Sequence, residues 1–545
     1  MGKMLEESSF HNPNGISILS GDTKITYAQL HNYVEKFAAG LKELGIKKGD
    51  CVALYLSNTP QFVISYFGIL KLGAIVTACS PLYKERELDY QLNDSQARAI
   101  VCHTSNYHIV KNILNDSMLE YVILADPQDL EPIPTDLKDA DRTQVETDSV
   151  LKFRNLIHTH TPTLSKVNID ASHDLALLQY TGGTTGTPKG AMITHRNLVV
   201  NAVQFSTWLR FRHDDIHLTV LPLFHIYGMT TSMNAPIYSA SSMILVPRFD
   251  SNQLLKTIDK YRPTVFCGVP TMYTALVNHP EVGKHDLRSI RACISGAAPL
   301  PGEIQRKFEQ ITKGRLVEGY GLSETSQVTH VNPIDEPRKN RIGSIGIPVF
   351  DTEAKIVDIN TGEKDVAPGE SGELVVHGPQ VMSGYWRKPE ETRNSLRDGW
   401  FYTGDIAKMD DDGYFYIIDR KKDMINVSGL KVYPREVEEL LYEHPEVKEV
   451  CVVGVPDPYR GERVKAFVVL KEGSSEKTIS NELIDFCRER IAGYKVPSEI
   501  EFLSEMPKTA AGKIMRRALR KSASSSNGSA QEPALAHTVS DENPS

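Results

Sequence analysis

The sequence predicts an α/β fold: a large N-terminal domain of two α/β subdomains plus a small β-rich subdomain, then a small α+β C-terminal domain. Three observations predict it. Short β-branched-rich runs alternate with amphipathic stretches from about residue 15 to about 350, the pattern of helices covering mostly parallel sheets. Between about 343 and 418 the texture changes to short strands punctuated by glycine, which suits a small β subdomain. The chain has 545 residues, and at roughly 100–200 residues per domain that accommodates about three or four units.

In chain order, the predicted strands occupy 52–56, 75–79, 99–102, 121–124, 216–221, 243–246, 265–269 and 290–295, with helices such as 27–44 and 252–261 between them. The most apolar stretch, 62–82, is interrupted by Lys71 and bounded by Thr59-Pro60 and Ser80-Pro81. A bilayer span needs about 20 apolar residues without such breaks. The stretch therefore reads as a buried helix, capped by Thr59 with Pro60 in its first turn, followed by the core strand 75–79. Pro434 opens a helix with Val437, Leu440 and Leu441 on one face. Two apolar strands, 450–455 and 465–470, come next, then a second amphipathic helix carrying Leu483, Phe486 and Ile491. From Ser522 the chain is rich in Ser, Ala, Asn and Pro and poor in large apolar residues, so a disordered tail is expected. The predicted domains are thus 1–419 and 420–521, with the tail at 522–545.

Composition narrows the function. Hydrophobic residues make up 40% and charged residues 24%, ordinary globular usage that excludes a disordered, collagen-like or disulfide-scaffold bulk. Lys plus Arg is 61 against 69 Asp plus Glu, a net charge of −8; no electrostatic case for a nucleic-acid partner arises. The seven cysteines, Cys51, Cys79, Cys102, Cys267, Cys293, Cys451 and Cys487, lie far apart with no CxxC pair. That spacing suits reduced, buried thiols of a cytosolic protein and argues against zinc or redox sites. The N-terminal stretch MGKMLEESSF lacks an apolar signal-peptide core and has Glu6 where myristoylation needs Ser or Thr. The terminal ENPS is not a peroxisomal address. The expected location is cytoplasmic, with no transmembrane segment.

The most informative segment is Tyr180-Thr-Gly-Gly-Thr-Thr-Gly-Thr-Pro-Lys189-Gly190. Glycines let backbone N–H groups converge on an anion, and hydroxyls add donors. Lys189 supplies a point charge. The segment is not a Walker A loop, because Pro188 precedes Lys189 and no Ser or Thr follows it.

This loop resembles the nucleotide signature of the adenylate-forming superfamily: acyl-CoA synthetases, firefly luciferases and nonribosomal-peptide adenylation domains. Further motifs of that superfamily follow in its order, between about residue 20 and 520. They are Gly296-Ala-Ala-Pro299, Glu318-Gly-Tyr-Gly-Leu-Ser-Glu324-Thr325, Tyr402-Thr-Gly-Asp405, Asp419-Arg420-Lys-Lys422-Asp423, Ser428-Gly429-Leu-Lys-Val-Tyr-Pro434 and Pro507-Lys-Thr-Ala-Ala-Gly512-Lys513. The resemblance implies two half-reactions. A carboxylate attacks the α-phosphorus of ATP, releasing pyrophosphate and leaving an acyl-adenylate. A thiol then attacks the acyl carbon and AMP leaves. ATP and CoA are the implied co-substrates and Mg²⁺ the implied cofactor.

Residue by residue, the resemblance assigns the nucleotide to Thr181, Gly182, Gly183, Thr184, Thr185, Gly186, Thr187 and Lys189 of the loop. To these it adds Gly296, Ala297, Ala298, Glu318, Gly319, Tyr320, Gly321, Ser323, Asp405, Ile417, Arg420 and Lys513. The loop and Lys189 would hold the β- and γ-phosphates, and Ser323, where many relatives have Thr, would donate to the α-phosphate. Glu324 would ligate Mg²⁺, a hard cation that favours oxygen. Tyr320 would stack on adenine beside the small Gly296, Ala297 and Ala298. Asp405 would accept both ribose hydroxyls and Arg420 would donate to the same sugar. Lys513 would offset charge developing between the α-phosphate and the attacking carboxylate. The implied C-terminal domain is mobile, hinged at Lys422; its rotation would replace Lys513 by Ser428, Gly429 and Lys431, which would meet CoA. His225, in Leu-Pro-Leu-Phe-His-Ile-Tyr-Gly228, would stand beside the acyl carboxylate with catalytic Lys189, Ser323 and Lys513. A general base is not required there, because a CoA thiol is already partly ionised near neutral pH.

The substrate expectation is a medium- or long-chain fatty acid. The segment from Asp398 to Ile406 together with 417–422 resembles the fatty acyl-CoA synthetase signature, and Gly378-Pro-Gln-Val-Met-Ser-Gly-Tyr-Trp-Arg387 and Gly343-Ser-Ile-Gly-Ile-Pro348 look like bacterial long-chain enzymes. The signature departs at Tyr402, where His is usual, and at Asn426, where Lys is common. Met229, Cys267, Val269, Met272 and Ser295 are the expected acyl-pocket wall. Plant coumarate ligases share much of this, so an aryl-CoA ligase is the alternative. Peptide-synthesis adenylation domains put Asp after the Phe that His225 follows here and adjoin a carrier domain. A luciferase would share only the first half-reaction. A non-catalytic nucleotide or acyl-adenylate sensor would be expected to lose the charges that Lys189, Glu324, Asp405, Arg420 and Lys513 retain. The partners implied are a small carboxylic acid, ATP and CoA; homodimers are common among such relatives, and peripheral membrane contact fits a fatty-acid enzyme.

Overall fold

The structure is a computed structural model and describes residues 1–131, 149–162, 167–181, 187–471, 476–509 and 514–526. Two compact units separate at Ile417 and Ile418.

The first unit contains three sheets. A seven-stranded sheet has the order Val150–Lys152, Tyr121–Ala125, Ala97–His103, Cys51–Tyr55, Ile75–Ala78, Leu175–Thr181, Lys189–Thr194. Its pairings are parallel except the last, which is an antiparallel hairpin. A nine-stranded sheet has the order Ile347–Pro348, Gln327–Val331, Arg315–Leu322, Ala292–Ser295, Val265–Gly268, Ile216–Thr219, Ser242–Leu245, Ile16–Ser20, Thr23–Thr26. Its centre is parallel and both ends fold back antiparallel. Parallel strands buried on both faces read as continuous apolar runs, which is why these strands were visible in sequence. The third sheet has five strands, Glu353–Val357, Ser371–His377, Trp400–Met409, Leu396–Arg397 and Phe415–Arg420, the last of which runs across the boundary between the units.

The apolar stretch becomes the helix Pro60–Lys71, buried from Pro60 through Leu70. Its start differs from expectation. Thr59 occupies the cap position but its hydroxyl makes no cap bond and has no hydrogen-bond partner; the fixed φ of Pro60 starts the helix instead. Lys71, which interrupts the apolar run, ends in an ion pair with Glu35. Among the described residues no helix is long and apolar enough to cross a membrane. All seven cysteines are buried. The hairpin Leu175–Thr181 with Lys189–Thr194 carries the glycine-rich loop, whose composition hid the flanking strands.

The second unit has its own core. The helix Pro434–Tyr442 buries Val437 and Leu441 against the antiparallel strands Val447–Asp457 and Gly461–Leu470. The helix Glu476–Arg488 adds Leu483 and Cys487, and Ile491 lies beyond its end. One expectation is corrected: the helix Arg516–Ser526 continues through Ser522, where the disordered tail was to begin. Leu519 and Ala523 hold it, buried beside Val453, Phe467 and Met506. Residues 527–545 lie outside the described residues.

Candidate active site

Thr181 and Lys189 face each other across the hairpin, at the end where the glycine-rich segment joins its strands. Gly182, Gly183, Thr184, Thr185 and Gly186 lie outside the described residues. This end of the hairpin is braced from several sides. The Tyr180 hydroxyl donates to Asp94 Oδ2 at 2.5 Å, Tyr90 to the Pro188 carbonyl at 2.8 Å, and Trp386 Nε1 to the Asp94 carbonyl at 2.9 Å. The outer strand Lys189–Thr194 is zipped to the segment 383–386: Met192 N donates to the Gly384 carbonyl at 2.8 Å and Trp386 N to that of Gly190 at 2.8 Å. The side chain of Lys189 is 14% exposed and 4.0 Å from Glu391 Oε1. Its ammonium lies over the Tyr385 ring, 5.3 Å from the centroid, within cation–π range.

The strand Arg315–Leu322 delivers the second motif. It ends in a single 3₁₀ turn, Ser323–Thr325, tied shut because Thr325 Oγ1 accepts from Leu322 N at 3.1 Å. Gly321 is required by close approach: a Cβ there would stand 1.3 Å from the Gln327 carbonyl oxygen. Ser323 and Glu324 are half-buried on this turn. Glu324 Oε1 accepts from the Tyr385 hydroxyl at 2.8 Å, and the Glu324 carbonyl accepts from Met382 N at 2.7 Å.

Three strands converge on the expected nucleoside position. Ser295, at the end of Ala292–Ser295, pairs with Glu318 on the next strand. Gly296 follows, where a Cβ would stand 3.0 Å from the Tyr227 ring, and Ala297 takes φ 68°. Gly319 and Tyr320 border a small cavity with Tyr227, Ile294, Gln327 and Val328. The Tyr320 hydroxyl donates to Asp405 Oδ2 at 2.5 Å, and Asp405 is buried. One carboxylate oxygen of Asp405 thus accepts from the Tyr320 hydroxyl. Tyr320 and Ile417 pack on the same apolar cluster around Phe415.

His225 caps the short helix Ile226–Met229, its Nδ1 accepting from Tyr227 N at 3.2 Å. In the neutral ring the proton is therefore on Nε2. Gly228 is forced, since a Cβ would stand 2.4 Å from the Pro222 carbonyl oxygen. Met229 leads into a π-helical turn, Thr230–Asn234, a form that often marks functional sites. Thr230 Oγ1 donates to the Ser326 carbonyl at 2.8 Å, tying this turn to the one that carries Glu324. The residues expected to wall the acyl pocket lie inside the unit. Cys267, Val269, Met272 and Ser295 are buried, and burial pushes the Cys267 thiol up to about 12. Met229 belongs to one core, while Cys267, Val269 and Met272 belong to another.

Within the second unit, Asp419 is buried and accepts from the backbone N–H groups of Arg420 at 2.7 Å and Arg435 at 2.8 Å; burial raises its carboxyl to about 6. Lys422 is exposed. Ser428 and Gly429, φ 53° and 88°, turn the hairpin between Ile425–Val427 and Leu430–Val432, the left-handed pair that tight hairpins need. Lys431 is exposed on its far arm. Lys513 lies outside the described residues. Its described flanks are held together: Lys508 pairs with Ile514, and Met515 N donates to the Pro507 carbonyl at 2.8 Å. Arg516 binds both oxygens of Glu438, at 2.7 and 3.1 Å.

Sequence reasoning missed Tyr385, Glu391 and Asp94. Tyr385 directly follows the glycine of Ser383-Gly384-Tyr385-Trp386, a string whose likeness carried no role for it, and Glu391 lies six residues further on. A hairpin carrying a glycine- and threonine-rich segment, a carboxylate turn beside it and a separate small unit are the features of an adenylate-forming enzyme.

This chain belongs to the family of AMP-binding enzymes: residues 5–386 match that family, and residues 436–513 match the AMP-binding enzyme C-terminal domain. It is 46% identical over 526 residues to a long-chain-fatty-acid–CoA ligase of Bacillus subtilis (strain 168), covering 95% of this chain and 93% of that protein. A long-chain-fatty-acid–CoA ligase of Salmonella typhimurium is 41% identical over 521 residues, covering 92% and 90%. Among solved structures, the anthranilate CoA ligase AuaEII in complex with anthranoyl-AMP superposes with a TM-score of 0.86 at 32% identity, covering 97% and 98% of the two chains.

Proposed function

We propose that the chain is an ATP-dependent, AMP-forming carboxylate–CoA ligase whose acid is a medium- or long-chain fatty acid. The observation that carries this reading is the approach of Lys189 and Glu324 to one tyrosine from two different sheets. A cation and a hard carboxylate oxygen that meet one shared side chain are what a metal-bound triphosphate needs. Among the described residues no three metal-type side chains cluster. That fits Mg²⁺, which is commonly held by one or two carboxylates plus substrate phosphates. Glu324 would hold it, and its charge would offset that of the phosphates.

In the first half-reaction, the glycine-rich segment and Lys189 bind the β- and γ-phosphates and Ser323 donates to the α-phosphate. Asp405 and Arg420 hold the ribose, with Tyr320 against the base. The substrate carboxylate oxygen bonds to the α-phosphorus and the bond to pyrophosphate breaks. Lys513 balances the charge that builds there. In the second, the CoA sulfur, having lost its proton, bonds to the acyl carbon and AMP leaves. His225 orients the acyl group through Nε2–H, and Ser428, Gly429 and Lys431 line the approach of CoA. The fatty-acid assignment rests on the two ligases named above, and the similarity to an anthranilate ligase supports an aryl acid as the second reading.

The test is release of AMP and pyrophosphate with ATP, Mg²⁺ and acids from C2 to C18 plus cinnamates, each with and without CoA. CoA-dependent AMP release peaking at a long chain is expected. A peak on cinnamates replaces the substrate, and pyrophosphate exchange that CoA does not pull forward overturns the ligase reading.

A further inference from the structure

We propose that Tyr385 is a positioning residue that aims the Glu324 carboxylate at the metal-bound triphosphate and joins it to Lys189. This rests on the reading of Glu324 as the metal ligand. A buried phenol needs an acceptor, and this one takes a carboxylate oxygen, at 2.8 Å. With Oε1 held by the hydroxyl, the Glu324 carboxylate is fixed in one orientation. Carboxylates that bind metals are themselves usually hydrogen-bonded, which fixes their orientation.

The tyrosine is itself fixed from both sides. Its backbone bridges to Ala191 on the hairpin, and its N–H donates to Thr392 Oγ1 at 2.9 Å. The preceding Gly384, φ 137°, lies so close to Thr392 that a Cβ would stand 2.6 Å from its methyl carbon. The short stretch 382–392 therefore holds both charges. Met382 N and the Tyr385 hydroxyl fix the carbonyl and carboxylate of Glu324. The Tyr385 ring and Glu391 lie against the ammonium of Lys189. A tyrosine filling core space would need none of these polar contacts to converge on two site residues. Phenylalanine keeps the ring and its contact with Lys189 and removes only the hydroxyl, so Tyr385→Phe isolates the aim of Glu324.

The experiment uses the full chain without fatty acid. Free Mn²⁺ is followed by electron paramagnetic resonance while Mn²⁺ is titrated in the presence of a non-hydrolysable ATP analogue. Analogue binding without metal and the unfolding midpoint are measured alongside. For Tyr385→Phe the expected result is a Mn²⁺ affinity weaker by about 10–100-fold, the range for losing such a support, with metal-free analogue binding unchanged. The Mg²⁺ concentration that half-saturates adenylation should rise in parallel. Glu324→Gln separates the failures. If Glu324→Gln weakens Mn²⁺ and Tyr385→Phe does not, the role of Tyr385 is overturned alone. If neither changes Mn²⁺ binding, the reading of Glu324 falls with it. Equal loss of metal-free analogue binding and of stability in Tyr385→Phe would show a packing role and overturn the proposal.

Discussion

Asp129 illustrates how far one residue's environment reaches. It is 4% exposed, its Oδ2 accepts from Asp126 N at 2.7 Å, and Gln61 Nε2 stands 3.5 Å away. Burial dominates, raising its carboxyl from 3.8 to about 7, with the Asp126 charge adding to the rise. A tenfold change in proton affinity corresponds to about 1.4 kcal/mol. The sign follows from linkage. The folded state holds this proton more tightly, so its relative stability is complete below pH 3.8, falls as pH rises towards about 7, and is level above that. Asp129→Asn should therefore raise the unfolding midpoint at pH 8 and leave it unchanged near pH 4; an equal shift at both pH values would refute the assignment. The sharper residue test is Lys513→Ala. It should lower adenylation at least about 10²-fold, the scale of losing one transition-state donor, while a supplied acyl-adenylate is still thioesterified. An unchanged pyrophosphate-exchange rate would remove Lys513 from the chemistry. Residues of this kind were legible because their motifs are contiguous strings: Lys189 and Glu324 announced themselves by their neighbours. Tyr385 did not, because its meaning lies in a bond to a residue 61 positions away, and pattern along the chain carries no record of such a contact. The acyl wall is hard to read from sequence for a related reason. Apolar residues such as Met229 and Val269 look the same whether they line a pocket or fill a core.

At the scale of elements, the site depends on two backbones approaching more closely than side chains allow. The strands Arg315–Leu322 and Gln327–Val331 pair with a register shift between Tyr320 and Gly321, and there the Cβ of any other residue would meet the Gln327 carbonyl at 1.3 Å. The turn bearing Ser323 and Glu324 hangs from this point. Gly321→Ala should lower stability by at least about 2 kcal/mol, because backbone must move to admit the methyl, and should weaken ATP binding through the displaced turn. The contrast is Gly413, φ 81° with open space around it, where Ala should cost only the left-handed strain of about 1 kcal/mol. Denaturation midpoints and ATP titrations on both variants decide; equal losses would mean that the close approach does not govern the turn. Helices and parallel strands were legible here from apolar runs. The hairpin around the glycine-rich loop was not, since turn composition outweighs strand propensity over six or seven residues. Nor was the helix Arg516–Ser526, whose apolar anchors, Leu519 and Ala523, are few and one of them small.

At the scale of the whole molecule, two half-reactions must be served around one acyl-adenylate, each by groups aligned closely enough to react. The C-terminal unit is braced internally by ion pairs. Ion pairs between Lys508 and Glu449, Arg516 and Glu438, and Arg520 and Asp423 join both flanks of the Lys513 segment to the core of that unit. The Ser428-Gly429 hairpin is bonded to the same unit through Ser428 N and the Arg460 carbonyl, at 2.8 Å. If Lys513 serves the first half-reaction and Ser428, Gly429 and Lys431 the second, the exchange must be absorbed by the few residues where the units join. Lys422 is exposed in that stretch, within the turn closed by Asp423 N and Met424 N on the Arg420 carbonyl. Proline there fixes φ near −65° and removes an N–H. Lys422→Pro should leave pyrophosphate exchange within about threefold and slow CoA-dependent release of AMP at least about tenfold, as expected when a conformational step limits only the second half-reaction. Single-turnover thioesterification of a supplied acyl-adenylate, measured beside pyrophosphate exchange, separates the two. Equal loss of both steps would mean that residue 422 supports the fold of the unit rather than its rotation.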